Sequence, residues 1–162
     1  MRKFALLVGL VLLAGMPALA QDYPKGEFYA GYAYHRIAGV NVPAGFAVNF
    51  AGNFHTNVGI VGDFGYGTKS GANAYSYMGG VRLAGRGEKA TGFVHAMVGG
   101  ATIGNGASTS GLAFGFGGGV DAYATDRVGF RGEFLWIPTR FSGVWETESF
   151  RFGAGIVVKW GQ

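Results

Sequence analysis

From Phe150 to Trp160 the chain alternates without a break. Phe150, Phe152, Ala154, Ile156, Val158 and Trp160 share one parity, while Arg151, Gly153, Gly155, Val157 and Lys159 share the other. A repeat of two puts these sets on opposite faces of a β-strand. The same patterning recurs in eight segments, near 26–36, 44–51, 58–66, 73–84, 90–103, 110–123, 128–139 and 147–160. In the first, Phe28, Ala30, Tyr32 and Tyr34 oppose Glu27, Tyr29, Gly31, Ala33 and His35. In the second, Phe46, Val48 and Phe50 oppose Ala47, Asn49 and Ala51. In the sixth, Leu112, Phe114, Phe116, Val120 and Ala122 oppose Gly115, Gly117, Gly119 and Asp121; in the seventh, Val128, Phe130, Phe134 and Trp136 oppose Arg131 and Glu133. No stretch of useful length repeats with the helical period, so the fold class is all-β.

The connections alternate. GNFHTN, GRGEK and ATDR read as tight turns, and IAGVNVP, GTKSGAN, IGNGAST and FSGVWET as longer ones of about six to nine residues. Pro43 and Pro138 fall at strand ends, where a missing N–H does least harm. What separates a soluble sandwich from a membrane barrel is the second face of each strand. A sandwich would carry Lys, Glu, Thr and Ser there, facing water. Here that face is mostly Gly and Ala with single charges, which suits a narrow lumen. Eight segments of about membrane-crossing length, with aromatic residues near their ends, predict an eight-stranded antiparallel up-and-down transmembrane β-barrel. Closure pairs every backbone group where lipid offers no partner. In that arrangement Phe150 through Trp160 face lipid, and Arg151 and Lys159 face inward. Tyr32, Tyr34, Tyr66, Tyr75, Trp136 and Phe150 would form one interfacial belt, and Phe28, Phe50, Phe130 and Trp160 the other.

Composition changes the picture at one place. Positive MRK, the apolar run FALLVGLVLLAG and the small residues Ala18 and Ala20 before Gln21 make a secretory signal peptide, residues 1–20, cleaved after Ala20. Residues 21–162 are then a single barrel domain, and removal of Arg2 and Lys3 lowers the net charge of +4. With no cysteine, the chain has neither a disulfide framework nor a thiolate metal site. Its 32 glycines and low charged fraction of 14% are unusual for a soluble exported protein.

GEFYAGYAYHR, IVGDFGYG, FVHAMVGG, GFGGGVDAYATDRVGFRGEF and the terminal SFRFGAGIVVKW, in this order, resemble the small outer-membrane barrels of the opacity-protein and outer-membrane-protein-A-like class, often labelled the porin family. The resemblance covers about residues 26 to 160. It implies insertion into a bacterial outer membrane by the barrel-assembly machinery. The family's terminal strand often ends in Phe, whereas Trp160 is followed here by Gly161 and Gln162. No peptidoglycan-binding domain follows the barrel, so no wall-anchoring role is expected.

Parity assigns Glu27, Asp63, Asp121 and Glu133 to the lumen with Arg82, Arg131, Arg151 and Lys159, and adds Asn49, His35 and His95. Acids and bases balance, as a dry interior requires. The set reads as a salt-bridged filling of the lumen, with a narrow ion path along the same charges as the alternative. Arg36, Lys69 and Arg140 lie beside the longer connections and are candidates for lipopolysaccharide phosphates. An enzyme reading is also open: strands one and eight become neighbours on closure, which would bring His35 near Ser149 with Glu146 or Glu148 at the rim, a set suited to modifying lipopolysaccharide. Dispersed histidines (His35, His55, His95) lack metal-ligand spacing, and single scattered cations argue against nucleic acid. The expected protein is therefore a monomeric barrel among outer-membrane lipids and lipopolysaccharide, structural or porin-like, with no cofactor, metal or catalytic residues.

Overall fold

The structure, a computed structural model, describes residues 23–105 and 107–161. The signal peptide and the cleavage after Ala20 lie outside the described residues. Eight strands form the wall: β1 (Gly26–Ile37), β3 (Ala44–His55), β4 (Val58–Lys69), β5 (Ala72–Arg86), β6 (Ala90–Asn105), β7 (Ala107–Tyr123), β8 (Val128–Trp136) and β11 (Phe150–Trp160). Three short strands, β2 (Val40–Val42), β9 (Thr139–Phe141) and β10 (Val144–Glu146), extend it at one end. Each wall strand pairs antiparallel with the next. β1 meets β11 from Gly26↔Trp160 to Arg36↔Phe150, and β8 joins β7 to β11, so the sheet closes on itself. The first and last described residues lie at one end, where Lys25 N–H bonds the Gly161 carbonyl.

The connections at the opposite end are shorter than the sequence suggests. Strands β4, β5, β6 and β7 run on into what reads as loop, pairing as far as Lys69↔Ala72 and Asn105↔Ala107. Three of these hairpins turn on two residues with positive φ: Ala38–Gly39 (47° and 78°), Ser70–Gly71 (51° and 83°) and Ser142–Gly143 (47° and 89°). That is the mirror-image turn whose twist matches paired strands. The usual Asn or Asp at the first position is replaced by Ala or Ser, which hides the turn in the sequence. Likewise, residues 128–141 are one strand with a gap. Pro138 has no N–H to give, but its carbonyl accepts from Phe114 N–H at 2.9 Å, and pairing with β7 resumes in register at Thr139. Near Pro43 the register against β1 slips by one between β2 and β3, and the Tyr32 hydroxyl donates to the Pro43 carbonyl.

Alternation sets the two faces. Outward Phe130 is 63% exposed and Ile60 61%, whereas inward Asp121 and Arg151 are 0% exposed. An exposed face this apolar is stable only against lipid or a partner surface. Aromatic rings line it in ladders: Phe46, Phe64, Tyr66 and Tyr75 run across β3 to β5 with centroids 5.1–6.5 Å apart. Phe50 meets Trp160 at 5.7 Å on the terminal side.

Candidate functional site

The lumen holds the chemistry, because inward parity collects every buried charge there. Near the terminal end, Glu27 on β1 accepts from Arg82 Nη1 on β5 at 2.7 Å, from Arg131 Nη2 on β8 at 3.3 Å and from Asn53 Nδ2 at 2.9 Å. Arg131 grips Asp121 with Nε at 2.6 Å and Nη2 at 2.8 Å, and Arg82 reaches the same carboxylate at 3.4 Å. The Phe93 ring lies 4.1 Å from the Arg82 guanidinium carbon and 4.5 Å from that of Arg131, offering its π face to both.

One amide ties this cluster to a second. Asn49 Oδ1 accepts from Arg131 Nη1 at 2.7 Å, and its Nδ2 donates to Glu133 at 3.1 Å. Only a side chain that both donates and accepts can make this link. Arg151 then holds Asp63 through both terminal nitrogens, at 3.0 and 2.5 Å, and Glu133 at 3.2 Å. Gly65 makes room for it: a Cβ there would fall 2.4 Å from Arg151 Nη1 and 2.7 Å from Ser76 Oγ.

Of the eight lumen charges proposed from parity, the structure brings Glu27, Arg82, Asp121, Arg131, Glu133, Arg151 and Asp63 into this chain of bonds. Lys159 is a correction. It stands at the terminal mouth, partly exposed, with its ammonium 4.0 Å from the Tyr123 ring centroid and, among the described residues, no carboxylate within ion-pair distance. Its place is taken by Arg86, whose Nη1 lies 2.8 Å from Glu27 Oε1 and whose Nε bonds the Thr56 carbonyl. Arg86 follows the inward parity of Arg82, but it lies beyond the segment end read at residue 84. Asn53 was missed for the same reason. His95 is buried against Phe93, ring centroids 5.5 Å apart, and neither ring nitrogen has a partner among the described residues.

Beyond the charges an apolar group fills the other side of the lumen: Val61, Met78, Met97, Ala113, Leu135 and Ile137. The hairpin end above it is different again. There His35, Ser76, Thr139 and Ser149 face a cavity of about 30 Å³. The trio envisaged for an enzyme is not assembled: Ser149 Oγ accepts from Ala38 N–H at 3.1 Å, Glu146 accepts from Glu148 N–H at 2.8 Å, and no hydrogen bond joins His35 to Ser149 among the described residues. Arg36, Lys69 and Arg140 sit on three separate hairpins at this end. Lys69 and Arg140 are exposed, and Arg140 bonds the Gly143 carbonyl at 3.2 Å with its guanidinium 5.9 Å from Trp145. No cluster of metal-binding side chains occurs among the described residues.

No family model and no curated protein sequence matches the chain. Solved structures do. Neisserial surface protein A superposes with a TM-score of 0.62 at 13% identity, over 83% of this chain and 96% of that one. The N-terminal β-barrel domain of Pseudomonas aeruginosa OprF gives 0.60 at 10% identity, over 85% and 98%. The attachment invasion locus protein Ail of Yersinia pestis, solved with the heparin analogue sucrose octasulfate, gives 0.54 at 18% identity, over 85% and 99%. With its closed eight-stranded sheet, apolar exterior and polar interior, the chain has the fold of the small transmembrane β-barrels of bacterial outer membranes.

Proposed function

We propose that this chain is an integral outer-membrane protein with a structural role, its lumen sealed by ion pairs rather than open to solutes. The observation that carries the reading is the unbroken chain of bonds from Arg86 through Glu27, Arg82, Asp121, Arg131, Asn49, Glu133 and Arg151 to Asp63. Four acids meet four arginines in it, so the charges cancel inside a wall just wide enough for side chains to fill. In this reading the chain is exported by a signal peptide cleaved after Ala20, inserted by the barrel-assembly machinery, and held as a monomer with its termini toward the periplasm. Arg36, Lys69 and Arg140 then meet the outer leaflet, where guanidinium and ammonium groups suit lipopolysaccharide phosphates.

The test is conductance. Mature protein folded in a planar lipid bilayer, with folding verified by shifted gel mobility without heating, is expected to give no current steps. Reproducible steps that change on Asp121→Asn or Glu133→Gln substitution would overturn the sealed lumen and establish a porin-like one.

A further inference from the structure

Beyond the lumen network, the terminal end of the barrel carries a second group of charges, and these are not paired with one another. A recess of about 260 Å³ opens there between the β5–β6 turn and the β7–β8 turn, lined by Glu88, Lys89, Tyr123, Thr125, Asp126 and Lys159. Its lining is mostly polar. Among the described residues, none of Glu88, Lys89, Asp126 and Lys159 lies within ion-pair distance of an opposite charge. Charges on turns usually stay solvated, and Glu88, Lys89 and Asp126 are exposed. Lys159 is of another kind. It is partly buried, its ammonium rests 4.0 Å from the Tyr123 ring centroid, and the Tyr123 hydroxyl donates to Asp121 Oδ2 at 3.3 Å. Two backbone bonds fix the frame around it: Tyr123 N–H to the Lys89 carbonyl and Lys159 N–H to the Arg127 carbonyl, both at 2.8 Å. The recess therefore joins both turns to β11 and holds one positioned cation.

From this arrangement we infer that the recess binds a small amphoteric molecule, an amino acid or short peptide with both a free carboxylate and a free ammonium group. The carboxylate meets Lys159 and Lys89, and the ammonium meets Glu88 and Asp126. Charge complementarity selects this class. A simple anion that approaches the lysines also meets the carboxylates of Glu88 and Asp126. A simple cation that approaches those acids also meets Lys89 and Lys159. Like-charge repulsion thus works against either one, whereas a ligand with both charges on one short backbone pairs with all four. The neighbouring lumen charges do not compete, since Arg86 is bonded to Glu27 and Asp121 to Arg131. The site lies outside the lumen network and does not depend on whether the lumen conducts.

The experiment is a titration of isotope-labelled protein in lipid nanodiscs with L-alanyl-L-alanine at low salt, read from backbone amide resonances. Lys89, Thr125, Asp126 and Lys159 are expected to shift saturably, while Lys69 and Ser142, on hairpins at the other end, stay in place. The N-acetylated dipeptide lacks the ammonium, and the dipeptide amide lacks the carboxylate. Each is expected to bind about fivefold more weakly than the parent dipeptide, and Lys159→Gln to weaken the parent by about the same factor. Lys89→Gln, on an exposed turn, serves if the first variant fails to fold by gel mobility. Asp126→Asn is expected to weaken the parent dipeptide and to leave the N-acetylated form unchanged. Absence of saturation at the four amides, or affinity undiminished in a folded lysine variant, overturns the site. Inorganic phosphate or the N-acetylated dipeptide binding as tightly as the parent overturns the selection for an amphoteric ligand.

Discussion

Arg131 and Ser76 are both buried on the inward face of the barrel, yet they are served in opposite ways. Arg131 donates to Asp121, Glu27 and Asn49, whereas the Ser76 hydroxyl bonds no atom of the described residues. The terminal half of the lumen thus pairs its charges with one another, although Tyr29 Oη, Arg82 Nε, Arg86 Nη2 and both His95 nitrogens stay without partners among the described residues; the hairpin half holds no such ion pairs among them. Parity is the same in both halves, so it does not explain the contrast. The difference lies in reach and sign. Long arginines from β5, β8 and β11 span the lumen to carboxylates on other strands, while the mouth is lined by short or apolar side chains that stop at the wall. An ion-paired region holds the walls together; one lined by short side chains leaves a small cavity.

Four substitutions set these regions against each other. The largest effect belongs to Arg131→Met, which leaves Asp121 and Glu27 short of a partner in a dry interior. A loss of about 3–5 kcal/mol is expected, measured from urea unfolding in lipid vesicles by tryptophan fluorescence. An unchanged midpoint would mean that the terminal half is hydrated and that its ion pairs do not hold the walls together. Next comes Gly65→Ala, at the border of the two halves. The new methyl must displace Arg151 or Ser76, at about 1–3 kcal/mol in the same assay. Ser76→Ala, by contrast, removes a group without protein partners and is expected to stay within about 1 kcal/mol of the parent. A loss as large as that of Arg131→Met would show that the mouth is as tightly bonded as the other end. Smallest is Lys69→Gln, an exposed change on the β4–β5 hairpin expected within about 0.5 kcal/mol. Its use is to isolate the lipopolysaccharide proposal, since reduced retention of lipopolysaccharide by a protein of unchanged stability would assign Lys69 a contact.

Much of the fold was legible because a strand's period of two is a local property. Phe150 to Trp160 declare their two faces without reference to any other residue, and eight such segments with a glycine-rich second face admit few closures. The same logic found seven of the ion-paired side chains. It failed where a segment was cut short, at Arg86 and Asn53, and where parity was taken as pairing, at Lys159. The enzyme trio failed for a related reason: neighbouring strands place His35 and Ser149 near one another, but the hydroxyl is occupied by Ala38 N–H.

By itself, then, the sequence determined strand number, the inward and outward sets and the balance of buried charge, all of which follow from alternation and composition. The tertiary structure alone decided which acid meets which arginine, because Glu27, Arg82, Asp121 and Arg131 come from β1, β5, β7 and β8, and their meeting depends on register around the closed wall. It also decided that the connections at the end opposite the termini are tight hairpins around an apolar mouth. A two-residue turn on Ala–Gly or Ser–Gly is set by strand twist, not by the residues in it, and the space between three hairpins exists only once all of them are folded.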